Sequence, residues 1–263
     1  MRKIAWLAVL LLLFCLYGCD SGSKEGKGQT KSADKVELTV SAAASLQEAL
    51  EEAKTAFERK HPNIRIQYNF GASGALQKQI SEGAPVDLFF SAAAEPFEKL
   101  KAEGLIDSKH EKTVLANELV LIAPKQGEGA VQSLDDIIRV KRIAIGIPES
   151  VPAGMYAKQT LEKAGLWEKV APKLVYAKDV RQVLTYVETG NVDAGFVYRT
   201  NALASENVNI VAAVPSGMHD PIVYPLGVVK TSKHLKEAQQ FYSYLTSGPA
   251  LQMFEEHGFR RAR

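Results

Sequence analysis

Apolar and polar positions along this chain follow two recurring periods. The run Val-Glu-Leu-Thr-Val at 36–40 alternates with period two, which places every second side chain on one face of a strand. The next run, 46–60, sets Leu46, Leu50, Ala53 and Phe57 on one helical stripe. This strand-then-helix unit repeats. Further strands are predicted at 64–68, 87–90, 119–122, 142–146, 193–198, 208–212 and 222–229, and further helices at 75–82, 95–103, 133–138, 153–164, 180–189 and 233–247. Alternation of this kind predicts an α/β architecture with mostly parallel sheets and ligands at strand C-terminal ends. Two long strand candidates, at 118–123 and 224–229, lie about a hundred residues apart. They read equally as paired crossovers of a two-lobe hinge or as ordinary sheet strands.

The first residues break this pattern. Met1, Arg2 and Lys3 form a positive start to an apolar run over 4–16 that is too short for a spanning helix, and together they read as a secretory signal over 1–18. The run ends in Leu16-Tyr17-Gly18-Cys19, the form of a lipobox whose cysteine is lipidated and becomes the mature N-terminus. Cys19 is therefore the expected lipidation site, and Cys15 leaves with the signal. Residues 19–35 follow as anchor and tether, since DSGSKEGKGQTKSADK has too few apolar side chains to bury a core. The expected location is outside the cytoplasm, anchored to the cell membrane.

Composition narrows the function. No cysteine follows Cys19, so the domain from Val36 onward has neither a disulfide framework nor a cysteine-based metal site. The whole chain has 32 Lys+Arg against 30 Asp+Glu; removing 1–18 takes away Arg2 and Lys3 and leaves 30 against 30. A formally neutral domain is a poor partner for nucleic acid.

Candidate chemistry lies at the corners where a strand or loop meets a helix through small residues, because the first N–H groups of a helix have no intrahelical acceptor and favour an anion. Ser45 closes one such corner after Ser41-Ala-Ala-Ala, where it also reads as a helix N-cap. Ser73 lies in Phe70-Gly-Ala-Ser-Gly74, which reads as close backbone approach to a ligand or as a plain turn. In Val151-Pro-Ala-Gly154, Pro152 opens a helix and leaves the Ala153 N–H available. In Lys178-Asp-Val180, Asp179 is expected to cap its helix or point to the opposite lobe, with the Val180 N–H available. Tyr198 ends the strand Gly195-Phe-Val-Tyr198 with a phenol donor, or else packs in the core. These donors are neutral. Fixed hydroxyls and amides select an anion by size, whereas a mobile lysine accepts many.

Neither a GxxxxGK[ST] phosphate loop nor a GxSxG elbow occurs. His61, His110, His219, His234 and His257 are scattered outside these corners, which disfavours a secreted serine hydrolase built on Ser45 or Ser73.

Read together, AAASL (42–46), FGASGALQKQI (70–80), GAPVDLFFSA (83–92), VPAGMYAK (151–158) and DVRQVLTYVETGNVDAGFVY (179–198) make the chain resemble the molybdate-binding proteins of bacterial molybdate ABC importers. The resemblance runs over essentially all of 36–259. It implies a type II periplasmic-binding-protein fold, with 36–117 plus 224–263 as one lobe, 118–223 as the other, and a two-strand hinge between them. It implies a molybdate or tungstate ligand held by the hydroxyls and amides of Ser45 and Ser73, the amides of Ala153 and Val180, and the Tyr198 hydroxyl, with no direct cation ligand. The implied role is binding without catalysis, as a monomer with no cofactor, for delivery to a membrane permease. Another tetrahedral oxyanion such as sulfate is the alternative. Relatives often carry a more serine-rich second loop than the single Ser73 between Gly71 and Gly74 here.

Overall fold

The computed structural model describes residues 35–126 and 131–262. The signal segment, Cys19 and the tether up to residue 34 lie outside the described residues.

Strand β1 (Val36–Ala43) buries Leu38, Val40 and Ala42 on one face, as its alternation requires, and is then buried on both faces as it enters the core. A 3-10 turn (Ala44–Leu46) leads into α1 (Gln47–Lys60), whose Ala49, Leu50, Ala53 and Phe57 are buried against the sheet. Phe57 packs on Phe241 and Tyr244, with ring centroids 4.8 and 5.4 Å away. Burying such a ring contributes about 1.5–3 kcal/mol. The first lobe continues through β2 (Ile64–Gly71), α2 (Ser73–Ser81), β3 (Leu88–Phe90), α3 (Ala94–Ala102) and β4 (Ile106–Ala116).

The chain then crosses at Asn117 and Glu118 into a second lobe. This comprises β5 (Leu119–Pro124), β6 (Ile143–Gly146), α4 (Pro152–Lys163), the short α5 (Trp167–Val170), β7 (Leu174–Ala177), α6 (Val180–Glu188), β8 (Ala194–Tyr198), α7 (Arg199–Leu203) and β9 (Val208–Ala213). Gly165, at φ +66°, ends α4 in the left-handed conformation, and the Leu166 N–H reaches back 2.8 Å to the Leu161 carbonyl. The chain returns through β10 (Val223–Val229) and closes with α8 (Leu235–Leu245), α9 (Gly248–Glu256) and β11 (Arg260–Arg261). At the two crossings the strands lie side by side, tied by a 3.2 Å bond from Asn117 N–H to the Ile222 carbonyl. Among the described residues, no helix is long and apolar enough to cross a membrane.

One sheet has strand order β11, β4, β10, β3, β1, β2 and the other β7, β6, β8, β5, β9. The expectation of mostly parallel sheets needs correction. β1 pairs in parallel with β2 and β3, and β6 with β7 and β8, but β10 is antiparallel to both its neighbours, as is β5. The reason lies in the crossings. Strands of the βα units run toward the cleft, whereas β5 and β10 start at the hinge and must run away from it. Other differences are local. The predicted helix at 133–138 is a 3-10 turn over Asp135–Ile138, and the predicted helix at 233–247 stops at Leu245. A separate helix, α9, then begins with Pro249 in its first turn, where a proline's missing N–H costs nothing.

Candidate functional site

The carboxyl ends of β1, β2, β6, β7 and β8 face one cleft; the loops leaving the first four carry the N-terminal ends of the 3-10 turn before α1 and of α2, α4 and α6, and β8 ends there in Tyr198. At their meeting point is a small cavity. Ser45, Gly71, Ser73 and Ala92 line it from the first lobe, and Val151, Pro152, Ala153, Val180 and Tyr198 from the second. All five residues singled out in the sequence, Ser45, Ser73, Ala153, Val180 and Tyr198, therefore line the same space, and each is buried. No charged side chain is among its lining residues.

Local folding explains the placement of each donor. Ser73 is the first residue of α2, and its Oγ accepts a 2.9 Å bond from the Ala92 N–H. With an acceptor role filled by Ala92, its own hydroxyl proton is free for the cavity. Pro152 opens α4, so Ala153 sits in the first turn, where the helix supplies no acceptor for its N–H. Val180 opens α6 in the same way. Asp179 takes the first of its two expected roles: Oδ1 accepts 2.9 Å from the Gln182 N–H and caps the helix. Ser45 departs from its expected role as an N-cap. It lies inside the 3-10 turn with no capping bond, and its Oγ is 3.0 Å from the Tyr224 hydroxyl. The tight turn directs the side chain inward rather than along the helix axis.

The Tyr198 hydroxyl is 3.4 Å from the Ala92 carbonyl, a long and weak bond that an anionic acceptor can displace. Burial, and then the neighbouring Tyr224 and Tyr156, push the Tyr198 phenol well above its ordinary pKa, so it stays a neutral donor. Among the described residues, the two serine hydroxyls bond Tyr224 and the Ala92 N–H, and neither bonds a histidine.

The two lobes touch around this cavity. The Gly74 N–H donates 3.0 Å to the Ser150 carbonyl, Tyr198 reaches Ala92, and Arg181 pairs with Glu48 at the rim. Being more than a third exposed on both sides, that ion pair contributes at most about 1 kcal/mol. Sequence reasoning missed Ala92, whose N–H fixes Ser73 and whose carbonyl meets Tyr198. It also missed Tyr224, the polar partner of Ser45, and Asn117, which donates to Tyr224; no local pattern marks either.

Two hinged α/β lobes closing on a cavity of neutral donors are the architecture of a solute-binding protein. The chain belongs to the bacterial extracellular solute-binding protein family, which it matches over residues 38–260. It is 53% identical over 254 residues to YvgL of Bacillus subtilis, named as an ABC transporter substrate-binding lipoprotein, covering 97% of this chain and 96% of that protein. It is 37% identical over 233 residues to the molybdate-binding protein ModA of Escherichia coli, covering 86% and 90% respectively. Among solved structures, a substrate-binding domain from Clostridium difficile, named for a molybdenum ABC transporter, superposes with TM-score 0.67 at 40% identity, covering 87% of this chain and all of that one.

Proposed function

We propose that this chain binds molybdate or tungstate outside the cytoplasm and delivers it to the membrane permease of an ABC importer. The observation that carries the reading is the convergence of Ser45, Ser73, Ala153, Val180 and Tyr198, contributed by both lobes, on one cavity without a charged lining side chain. Hydroxyl and amide donors aimed by helix N-terminal ends stabilise a small dianion, each charge-assisted bond contributing about 1.5–3 kcal/mol. Because the donors are held by two sheets, they favour an anion of one size over sulfate or phosphate. A ligand bound from both sides favours the closed arrangement of the lobes, 36–117 with 224–263 and 118–223. The names of the relatives support molybdate as the cargo and a lipid anchor at Cys19. We read the protein as a binding monomer rather than an enzyme.

Calorimetry of the domain from Val36 onward tests this against molybdate, tungstate, sulfate and phosphate at one salt concentration. Tight binding of the first two with weak binding of the others is expected; preference for sulfate overturns the choice of cargo. Ser73→Ala and Tyr198→Phe each remove one hydroxyl donor and are expected to weaken molybdate binding by roughly tenfold, with thermal midpoints close to the parent's. Unchanged affinity in both variants rules out the assigned ligand set.

Affinity is also expected to be flat between about pH 6 and 9, because serine hydroxyls and amides do not titrate there. The sign for Tyr198 follows from its raised pKa: the neutral phenol persists above the usual tyrosine range, and the donor is lost only beyond that. A binding titration that falls steeply through neutral pH points to a charged group in the site.

A further inference from the structure

The Ser45 hydroxyl faces the cavity on one side and a buried polar chain on the other. Asn117, in the first crossing between the lobes, fixes the direction of that chain. Its Oδ1 accepts 2.9 Å from the Glu118 N–H, which sets the amide orientation and turns Nδ2 the other way. Nδ2 then donates 3.2 Å to the Tyr224 hydroxyl and 3.0 Å to Thr200 Oγ1. An amide nitrogen only donates, so the Tyr224 oxygen is an acceptor toward Asn117. Its own proton needs a different acceptor, and Ser45 Oγ lies 3.0 Å away. Were Ser45 the donor instead, the phenolic proton of a fully buried tyrosine would have no acceptor among the described residues. With Oγ accepting from Tyr224, the Ser45 proton is left free for an acceptor in the cavity that Ser45 lines. Burial keeps the Tyr224 phenol above its ordinary pKa against the opposing pull of its bonds to Ser45 and Asn117, so the proton stays in place through the neutral range.

We propose that Tyr224 and Asn117 are positioning residues for the oxyanion site: a one-way hydrogen-bond relay from Asn117 through Tyr224 holds the Ser45 hydroxyl as a donor into the cleft. The proposal rests on the oxyanion-binding reading above and deepens it. It also ties the donor to the hinge. Asn117 lies in one crossing, Tyr224 at the start of the returning strand β10, and Thr200 in the second lobe on α7. The relay is therefore complete only when both crossings are in register, and the second Asn117 bond, to Thr200, links that register to α7 of the second lobe.

The test is a double-mutant cycle read by calorimetry against molybdate. Tyr224→Phe keeps the ring and removes the relayed proton, and is expected to weaken binding by roughly tenfold. In a Ser45→Ala background the same change is expected to have no further effect, because the hydroxyl it orients is gone. Loss of equal size in both backgrounds means that Tyr224 acts through packing, and overturns the relay, as does parent affinity in Tyr224→Phe. Asn117→Ala provides a second route should Tyr224→Phe not fold, with a smaller loss that likewise vanishes with Ser45→Ala. An additive loss there overturns the proposal too. A separate reading needs no oxyanion at all. In the free protein, the Tyr224 hydroxyl proton is expected as a slowly exchanging NMR resonance with cross-peaks to the Ser45 Cβ protons and the Asn117 side-chain amide. Its absence overturns the relay, whereas a parent protein that shows the resonance yet binds none of the four anions overturns only the oxyanion reading.

Discussion

Gly74→Val is expected to fold as stably as the parent and to bind molybdate about a hundredfold more weakly. Gly74 sits in the first turn of α2, and its N–H meets the Ser150 carbonyl of the opposite lobe at 3.0 Å. A Cβ there would lie 2.8 Å from that same oxygen and 3.0 Å from the Ser150 Cα, both backbone atoms that cannot rotate away. Overpacking of this kind costs typically about 1–3 kcal/mol, and the rigid partner and branched side chain place valine near the upper end. The cost falls only on the state in which the lobes touch. A lobe studied apart from that contact gains slightly, since glycine is a poor helix former. A penalty of about 2.8 kcal/mol on closure alone is a factor of about a hundred in affinity. Calorimetry and a melting curve separate the two effects. Small-angle scattering should also show the variant failing to compact when molybdate is added. Affinity within a few-fold of the parent would mean that closure does not bring Gly74 against Ser150.

That contact also shows what the sequence conveys and where it stops. The motif Phe70-Gly-Ala-Ser-Gly74 reads as close backbone approach, and one of its glycines does serve that purpose. The neighbour, however, is the other lobe, and Gly71 has room for a Cβ at ordinary contact distance from Leu76. Local periodicity was sufficient for β1, α1, α4 and α6, because each buries one face against its own sheet. It failed for β4, where Asp-Ser-Lys-His-Glu-Lys gives no alternation; the strand is held by β10 and β11 on its two edges rather than by a buried face. The donor corners were legible because the chemistry of a helix start is local: a small residue, a proline or serine, and unpaired N–H groups. The second layer was not. Ser45 and Tyr224 are 179 residues apart and Asn117 and Tyr224 107 apart, so their partnership exists only after both crossings form. A tyrosine in an apolar strand reads as core packing until the fold supplies its hydrogen-bond partners.

The largest loss of stability is expected from Gly154→Ala. Gly154 is the third residue of α4, the helix whose first turn presents Ala153 to the cavity. A Cβ at this position would lie 2.0 Å from the Gly146 carbonyl oxygen and 2.5 Å from its carbon. Gly146 ends the inner strand β6 and pairs with Ala177 of β7, so it cannot move without disturbing that ladder. The opposing effect is the helix propensity of alanine over glycine, about 1 kcal/mol in favour of the variant. A backbone overlap of that depth outweighs it. The expected net cost is about 3 kcal/mol, a sizeable part of the 5–15 kcal/mol that holds a typical native state together. For a domain of this size that corresponds to a thermal midpoint lower by about 6–12 °C. Gly248→Ala, where a new Cβ meets no atom within 4 Å, is the matched control and should leave the midpoint near the parent's. The functional consequence runs through the same contact. If α4 rides outward to relieve the overlap, the Ala153 N–H leaves the cavity, so any folded Gly154→Ala protein should also bind molybdate weakly. An unchanged midpoint together with parent affinity would show that α4 does not start on top of Gly146, and that Ala153 is not placed by this packing.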